Sequence, residues 1–526
     1  MAEISRRQFV AGSATIALAA SGVPALSEET VKTSEPASDR PNVLFVLADQ
    51  HRLDCLGAYG NAQVRTPNID ALAAEGVRFN NSFCPYPVCT PSRYSLFSGR
   101  YVHEHRGWTN HCTLPPEVET WPSLLKAAGY QTDCAGKMHF TPTYLDVGFA
   151  EMYLSEQNGP GRWDDDYHRM LRDRGVIDAN DLEDQEREFR EHAREEYWEN
   201  FGALPSNLPD ELHSTTWTGD RAVETLEGWS GGGNLFLASF IKPHHPFDPP
   251  KAWADRYNAA DLDLLPGWID ECFEHDLKLN PGYFPHEKLS KDVLRRVMVH
   301  YYATIEHIDH QVGRMVEVLK RKGLYDNTLI IYTSDHGEYM GYHHLLLKGG
   351  YMYDALVKVP LIIRYPGGGK AEASDAQVTN LDLAPTILRQ CGIEPAEGMH
   401  GNNLAESAGR EIVFAESHGG AQVMARTKSR KLLRHEGLKQ NFLYDLEKDP
   451  GETVNCYEDP AYADDVRALE KALQDWRPGP LPETYLNQDA PQIDQPNVPP
   501  DLSHRDAMMA YTREKMAEFF DAQDGR

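Results

Sequence analysis

The sequence predicts an α/β fold in which helices sandwich a large mixed, mostly parallel sheet, followed by a smaller C-terminal α+β subdomain with a short antiparallel sheet. Three observations predict it. Continuous apolar runs recur, each one strand long, as expected for strands buried on both faces of a parallel sheet. Apolar stripes of helical period lie between them. After Gly392 that period weakens and short apolar-rich runs replace it.

The chain starts with Arg6-Arg7 ahead of a small-residue apolar run, 11–20, and a Val23-Pro24-Ala25 cleavage site, which predicts a twin-arginine-like export signal. The run is too short to span a bilayer, and the Ser-, Glu-, Thr- and Pro-rich residues up to 40 read as a linker. Residues 43–48 predict the first strand, with Asp49-Gln50 at its carboxyl end. Thr66, Pro67 and Gly76 bracket a helix. Thr90 is expected to cap a second helix, begun by Pro91 and ended by Gly99, so that Cys89 stands just before an N-terminus that favours negative charge.

Residues 160–215 are dense in charge, and 181–188 read as a solvated helical face. Residues 235–241 form a strand that delivers Lys242-Pro243-His244. A helix follows with its stripe at Val297, Tyr301, Ile305, Ile308, Val312, Met315 and Leu319. Residues 328–333 form a strand leading into Ser334-Asp335-His336. Ligands in open α/β sheets bind beyond the carboxyl ends of strands, so these polar clusters are candidates for one site. Residues 412–415 and 441–444 predict the antiparallel sheet, closed by a helix over 466–476. The expected organisation is signal and linker 1–40, main domain 41–400, C-terminal subdomain 401–480 and tail 481–526.

With 80 acidic against 52 basic side chains the formal charge is -28, which disfavours nucleic acid and anionic lipid as partners. An enzyme for an anionic substrate would therefore have to gather its cations locally. The eight cysteines show no paired metal spacing; export leaves room for one or two disulfides without naming the pairs.

The chemistry concentrates in ordered motifs: Asp49-Gln50, Cys89-Thr90-Pro91-Ser92-Arg93, Gly136-Lys137-Met138-His139, Lys242-Pro243-His244-His245-Pro246, Asp335-His336-Gly337-Glu338 and Lys348. Residues 359–364, 382–386 and 443–450 continue the series. Through these motifs nearly the whole mature chain resembles the formylglycine-dependent sulfatases of the alkaline phosphatase superfamily. The resemblance implies that Cys89 is oxidised to formylglycine by a formylglycine-generating enzyme and that its hydrate attacks sulfur. It implies one divalent metal on Asp49, Gln50, Asp335, His336 and position 89 itself, with calcium favoured on family grounds and the imidazole leaving manganese or magnesium open.

Arg93, Lys137 and Lys348 are then the local cations, expected to bind the nucleophile and sulfate oxygens. His139 is the expected base and His244 the expected acid, with their roles open to exchange. Many relatives carry a second aspartate and an asparagine where this chain has Gln50 and His336. His245, His343, His344 and His213 are read as structural.

The expected activity is hydrolysis of a sulfate ester, with a sulfated carbohydrate or other small molecule as substrate, by a periplasmic or secreted enzyme. Gly136-Lys137-Met138-His139-Phe140 also looks like choline sulfatases. The rival reading is a phosphonate monoester or phosphodiester hydrolase of the same superfamily; a non-catalytic binder of sulfated glycans would keep Cys89 unconverted.

Overall fold

The computed structural model describes residues 39–279, 283–369, 371–436, 440–477 and 502–524. The expected signal, nearly all of the linker and the Pro- and Asp-rich start of the tail lie outside the described residues. The strands are β1 (Asn42–Asp49), β2 (Val77–Phe83), β3 (Gln131–Gly136), β4 (Glu151–Leu154), β5 (Asn234–Pro243), β6 (Thr328–Ser334), β7 (Leu361–Arg364) and β8 (Glu372–Thr379) in one sheet, and β9 (Val413–Ser417), β10 (Gln422–Arg426), β11 (Arg430–His435) and β12 (Gln440–Asp445) in a second. The helices used below are α1 (Pro67–Ala74), α2 (Cys89–Ser98), α3 (Gly159–Asp164), α4 (Asp166–Asp173), α5 (Ala179–Gln185), α6 (Ser214–Gly228), α7 (Lys291–Arg321), α8 (Leu383–Gln390), α9 (Ala463–Trp476) and α10 (Leu502–Asp524).

The large sheet runs β4-β3-β5-β1-β6-β7-β2-β8. Its pairings are parallel except those of β7, which runs against both neighbours. The sheet is thus mixed and mostly parallel, as predicted. Strand β1 is buried along its whole length, and alternation splits its side chains between two cores. Leu44, Val46 and Ala48 pack with Val297, Tyr301, Ile305 and Ile308 of α7, the predicted stripe; Val43, Phe45 and Leu47 pack with Phe97 of α2 and Leu383 and Ile387 of α8. Each such buried side chain contributes about 1.5–3 kcal/mol, so β1 and its partners fix the carboxyl edge that carries the site.

The second sheet is an antiparallel meander, β12-β11-β10-β9. Its Val423, Ala425, Leu432 and Leu443 pack on Leu469 and Leu473 of α9, one turn apart on the helix. Asp354 pins the sheet to the segment after β6 through Arg426 (3.0 and 2.7 Å) and Lys431 (2.9 Å).

One expectation is corrected, and one open question is answered. Helix α5 is not a solvated face: Asp181, Glu183 and Asp184 are buried and paired with Arg162, Arg194 and His245. The eight cysteines, for which disulfides had been left open, are all free thiols. Among the described residues no helix is long and apolar enough to cross a membrane.

Candidate active site

Strands β1 and β6 run parallel with Ala48 opposite Ser334, so Asp49 and Asp335 leave the sheet at one edge. Helix α2 points its N-terminus at that edge. Cys89 is the first residue of α2 rather than the residue before it, because the Thr90 hydroxyl does not cap the helix but donates to the His139 carbonyl at 2.6 Å. Its Sγ lies 3.6 Å from Asp49 Oδ1 and 3.3 Å from His336 Nε2. Asp49, Cys89, Asp335 and His336 each offer a ligand atom, all within 4.8 Å of one another and all buried.

Neighbouring groups aim the remaining donors. His336 Nδ1 lies 2.9 Å from the Gly337 carbonyl; donation there leaves the Nε2 lone pair facing Sγ. Gln50 takes a left-handed backbone conformation (φ 66°), and its amide nitrogen donates to buried Glu338, which turns Oε1 toward the site. Glu338 is itself held by the Met340 amide at 3.0 Å and by the Leu347 amide. Two carboxylates, an amide oxygen and an imidazole lone pair converge, and this donor set fits a divalent cation.

The three predicted cations have different tasks. Arg93, one turn into α2 and fully buried, donates to Asp335 (2.8 Å), Asp49 (3.1 Å), the Lys137 carbonyl (2.5 Å) and the Ser239 hydroxyl (2.9 Å). Expected on the sulfate oxygens, it is instead a clamp on the two carboxylates, since those partners use four of its five N–H groups. Lys137 follows β3 and pairs with Asp49 at 2.7 Å and Gln157 at 3.3 Å. Gly136 permits this approach: its φ is 100°, and a Cβ there would overlap the Ser239 carbonyl. Lys348 faces the nucleophile, with Nζ 3.5 Å from Cys89 Sγ, 2.8 Å from Gln50 Oε1 and 2.6 Å from His244 Nε2.

The charges follow from these contacts. Burial and Asp49 push the Cys89 thiol up, but the positive charges around it, Lys348 and Lys137 foremost, bring it down to about 6. Burial would raise Asp49 as well, yet Lys137 and Arg93 hold it well below the usual carboxylate range. Asp335 is pushed up by burial and by Asp49 beside it. Two carboxylates this close concentrate charge that a cation neutralises.

His244 is held neutral by burial and by Lys348 and Lys137. Its Nδ1 donates to the His245 carbonyl at 2.7 Å, and its ring stacks on that of His245 at 4.4 Å between centroids. His245 is fixed by Asp184 (2.6 Å), which also accepts from the Tyr197 hydroxyl. His139 is held near a pKa of about 3 by burial and Lys137; its Nδ1 is buried without a hydrogen-bond partner among the described residues. Its main chain is anchored on Glu156 (3.0 and 3.1 Å).

The other histidines have structural uses: His213 accepts from the Thr215 amide at the start of α6, and His343 and His344 meet backbone carbonyls. Gln157, Ser239, Glu338 and Asp184 support the site and were not expected there. Glu338 alone had a signal in the sequence, its place in the Asp335 motif.

Comparison with known proteins gives the family. The sulfatase family model matches residues 41–393, and a model of the N-sulphoglucosamine sulphohydrolase C-terminal region matches 341–478. The chain is 30% identical over 467 residues to an arylsulfatase of Clostridium perfringens, covering 82% of this chain and 94% of that protein. It is 26% identical over 489 residues to an N-acetylglucosamine-6-O-sulfatase of Bacteroides thetaiotaomicron, covering 83% and 86%. Among solved structures, a phosphonate monoester hydrolase of Agrobacterium radiobacter superposes with a TM-score of 0.69 at 26% identity, over 83% of this chain and 95% of that one.

Proposed function

The chain belongs to the sulfatase family and is a sulfuric ester hydrolase, and from that premise we propose that it removes sulfate from a carbohydrate with position 89, as formylglycine, for its nucleophile. One observation carries the reading: Asp49, Asp335, His336 and Lys348 converge on Cys89 at the N-terminus of α2. The resemblance to an N-acetylglucosamine-6-O-sulfatase supports a sugar ester as the substrate class.

Asp49, Gln50, Asp335 and His336 would hold the metal, which when bound neutralises charge on the sulfuryl oxygens as a Lewis acid. Calcium suits the oxygen donors, and manganese or magnesium would serve the same role with the imidazole. In the proposed hydrate of position 89 one hydroxyl would displace the alcohol from sulfur while its proton passes to Asp49, whose Oδ1 lies 3.6 Å from that position, and the other, once deprotonated, would expel sulfate and restore the aldehyde. Lys348 donates to the oxygen at position 89 and to the sulfuryl group as their charge grows. As the ester S–O bond breaks, its electron pair stays with the leaving oxygen, which takes a proton from the Lys348–His244 pair, joined at 2.6 Å. Neutral His139 then accepts the second hydroxyl's proton. Arg93 and Lys137 keep Asp49 ionised and in place.

Assay of purified protein on sulfated sugars, choline sulfate and aryl sulfates, beside Cys89→Ala, tests the proposal. Sulfate release from a sugar that vanishes in the variant is the expected result; retained turnover in Cys89→Ala removes the nucleophile. The likeness to a phosphonate monoester hydrolase, with Gln50 and His336 among the ligands, favours phosphodiester cleavage as a second reading. A faster rate on an aryl phosphodiester than on the matching aryl sulfate would establish it. We place the mature enzyme outside the cytoplasm on the strength of residues 6–25, after conversion by a formylglycine-generating enzyme. Periplasmic accumulation that survives changing Arg6 and Arg7 to Lys would remove the twin-arginine route.

A further inference from the structure

The family models match no residue beyond 478, yet the chain continues and α10 returns to the main body. Its Met516 is buried against Ala179, Leu182 and Phe189 around α5. Arg505 grips both carboxylate oxygens of Asp164 at the end of α3, Arg513 does the same to Glu188 at 2.6 and 3.0 Å, and the Tyr511 hydroxyl donates to the Val176 carbonyl at 3.1 Å. These contacts fix the start of α10 against one side of a cleft of about 840 Å³.

The cleft adjoins the active site through His139, which lines it. Glu156, which holds the His139 main chain, lines it too, and Asn110 on its wall accepts from the Thr90 amide, next to position 89, at 3.2 Å. Phe140, Tyr144 and Asn158 also line it, together with His504 and Arg505 of α10. The space lies in the upper part of the ~300–1,000 Å³ range of small-molecule sites. Carboxamides, imidazoles and two aromatic rings are groups that read the hydroxyls and apolar faces of sugar rings.

We propose that α10 is a specificity element: His504 and Arg505 contact the sugar on the leaving-group side of the ester, beyond the ring or oxygen that carries sulfate. This rests on the reading of position 89 as a sulfatase nucleophile. Asp164 holds the Arg505 guanidinium in place, and the α3–α5 region positions the whole wall. The same region carries Asp184, which holds His245 and through it His244.

The test compares wild type with His504→Ala, Arg505→Ala, Arg505→Lys and, as a control on the same helix, Arg513→Ala, whose partner Glu188 does not line the cleft. Each is assayed on 4-nitrophenyl sulfate, glucosamine 6-sulfate and sulfated disaccharides from heparin and chondroitin. For His504→Ala and Arg505→Ala the kcat/KM ratio of the best disaccharide over the aryl sulfate is expected to fall about tenfold, the worth of roughly one hydrogen bond, mainly through KM. Arg505→Lys should recover part of it, and Arg513→Ala should leave the ratio unchanged. An unchanged ratio in both alanine variants, or equal losses on both substrate types, overturns the proposal, as does a wild type that cuts the aryl sulfate and none of the sugars. Failure of the underlying reading differs: wild type then releases sulfate from nothing, or Cys89→Ala keeps turnover.

Discussion

Lys348→Ala should slow the chemical step while leaving the fold in place. Nζ lies 3.5 Å from the atom at position 89, where two unit charges interact at about 5 kcal/mol for an effective dielectric constant of about 20. Only the charge that develops between bound ester and transition state counts toward rate, and taking half of it gives about 2.5 kcal/mol, or about 70-fold in kcat. Loss of a single oxyanion donor elsewhere costs ~10²–10³-fold, so this figure falls just below that range. Removing Lys348 also removes one of the influences that, after burial, hold His244 neutral, so the His244 pKa rises. The assay is steady-state turnover of an aryl sulfate across pH, with circular dichroism to verify folding and Lys348→Arg as a charge-retaining comparison. A drop in kcat under about fivefold would refute the placement of Lys348 as the cation that meets developing charge.

Other outcomes follow from the same geometry. The peptide containing Cys89, taken from protein made in a converting host, should weigh ~18 Da less than its cysteine form; an unshifted mass in active enzyme would end the formylglycine reading. Glu338→Gln lets the Gln50 amide turn over and should weaken metal binding about 10–100-fold by titration calorimetry; unchanged affinity would show that Gln50 is not oriented by Glu338. Burial would raise Asp354, but Arg426 and Lys431 hold it well below the usual carboxylate range. Its stabilisation is therefore full above the unfolded value near ~4 and lost as pH falls through the folded one. Asp354→Asn should cost about 3–5 kcal/mol at neutral pH and flatten the acid limb of a thermal-unfolding series; a wild-type-like acid limb would contradict this.

How much was legible in the sequence depended on whether the cause was local. Strands β1, β5 and β6 announce themselves because strands covered on both faces must be apolar throughout, and the α7 stripe is visible because one face meets the sheet. The reversed direction of β7 leaves no trace in a short apolar run. Residues 181–188 read as solvated because charge is local while its partners are not: Asp184 meets His245 and Asp181 meets Arg162 only after the chain folds. The site residues were found through ordered motifs, but Arg93 was assigned to the sulfate because its residue type suits that task. Only its contacts reveal that its donors are already engaged with Asp49, Asp335, Lys137 and Ser239.

Cys89 has no exposed surface and sits in the first turn of a helix whose residues are all buried. On the proposed conversion of position 89, an enzyme that must grasp that thiol could not reach it once the protein has closed around it, and the window for making the aldehyde would shut when the chain folds. Protein that folds unconverted would stay so until it is denatured, and a purified batch would record, in its active fraction, the outcome of a race run during synthesis. Slowing that closure, by cooler growth or by a destabilised α2, should raise the converted share without touching any residue that performs the reaction.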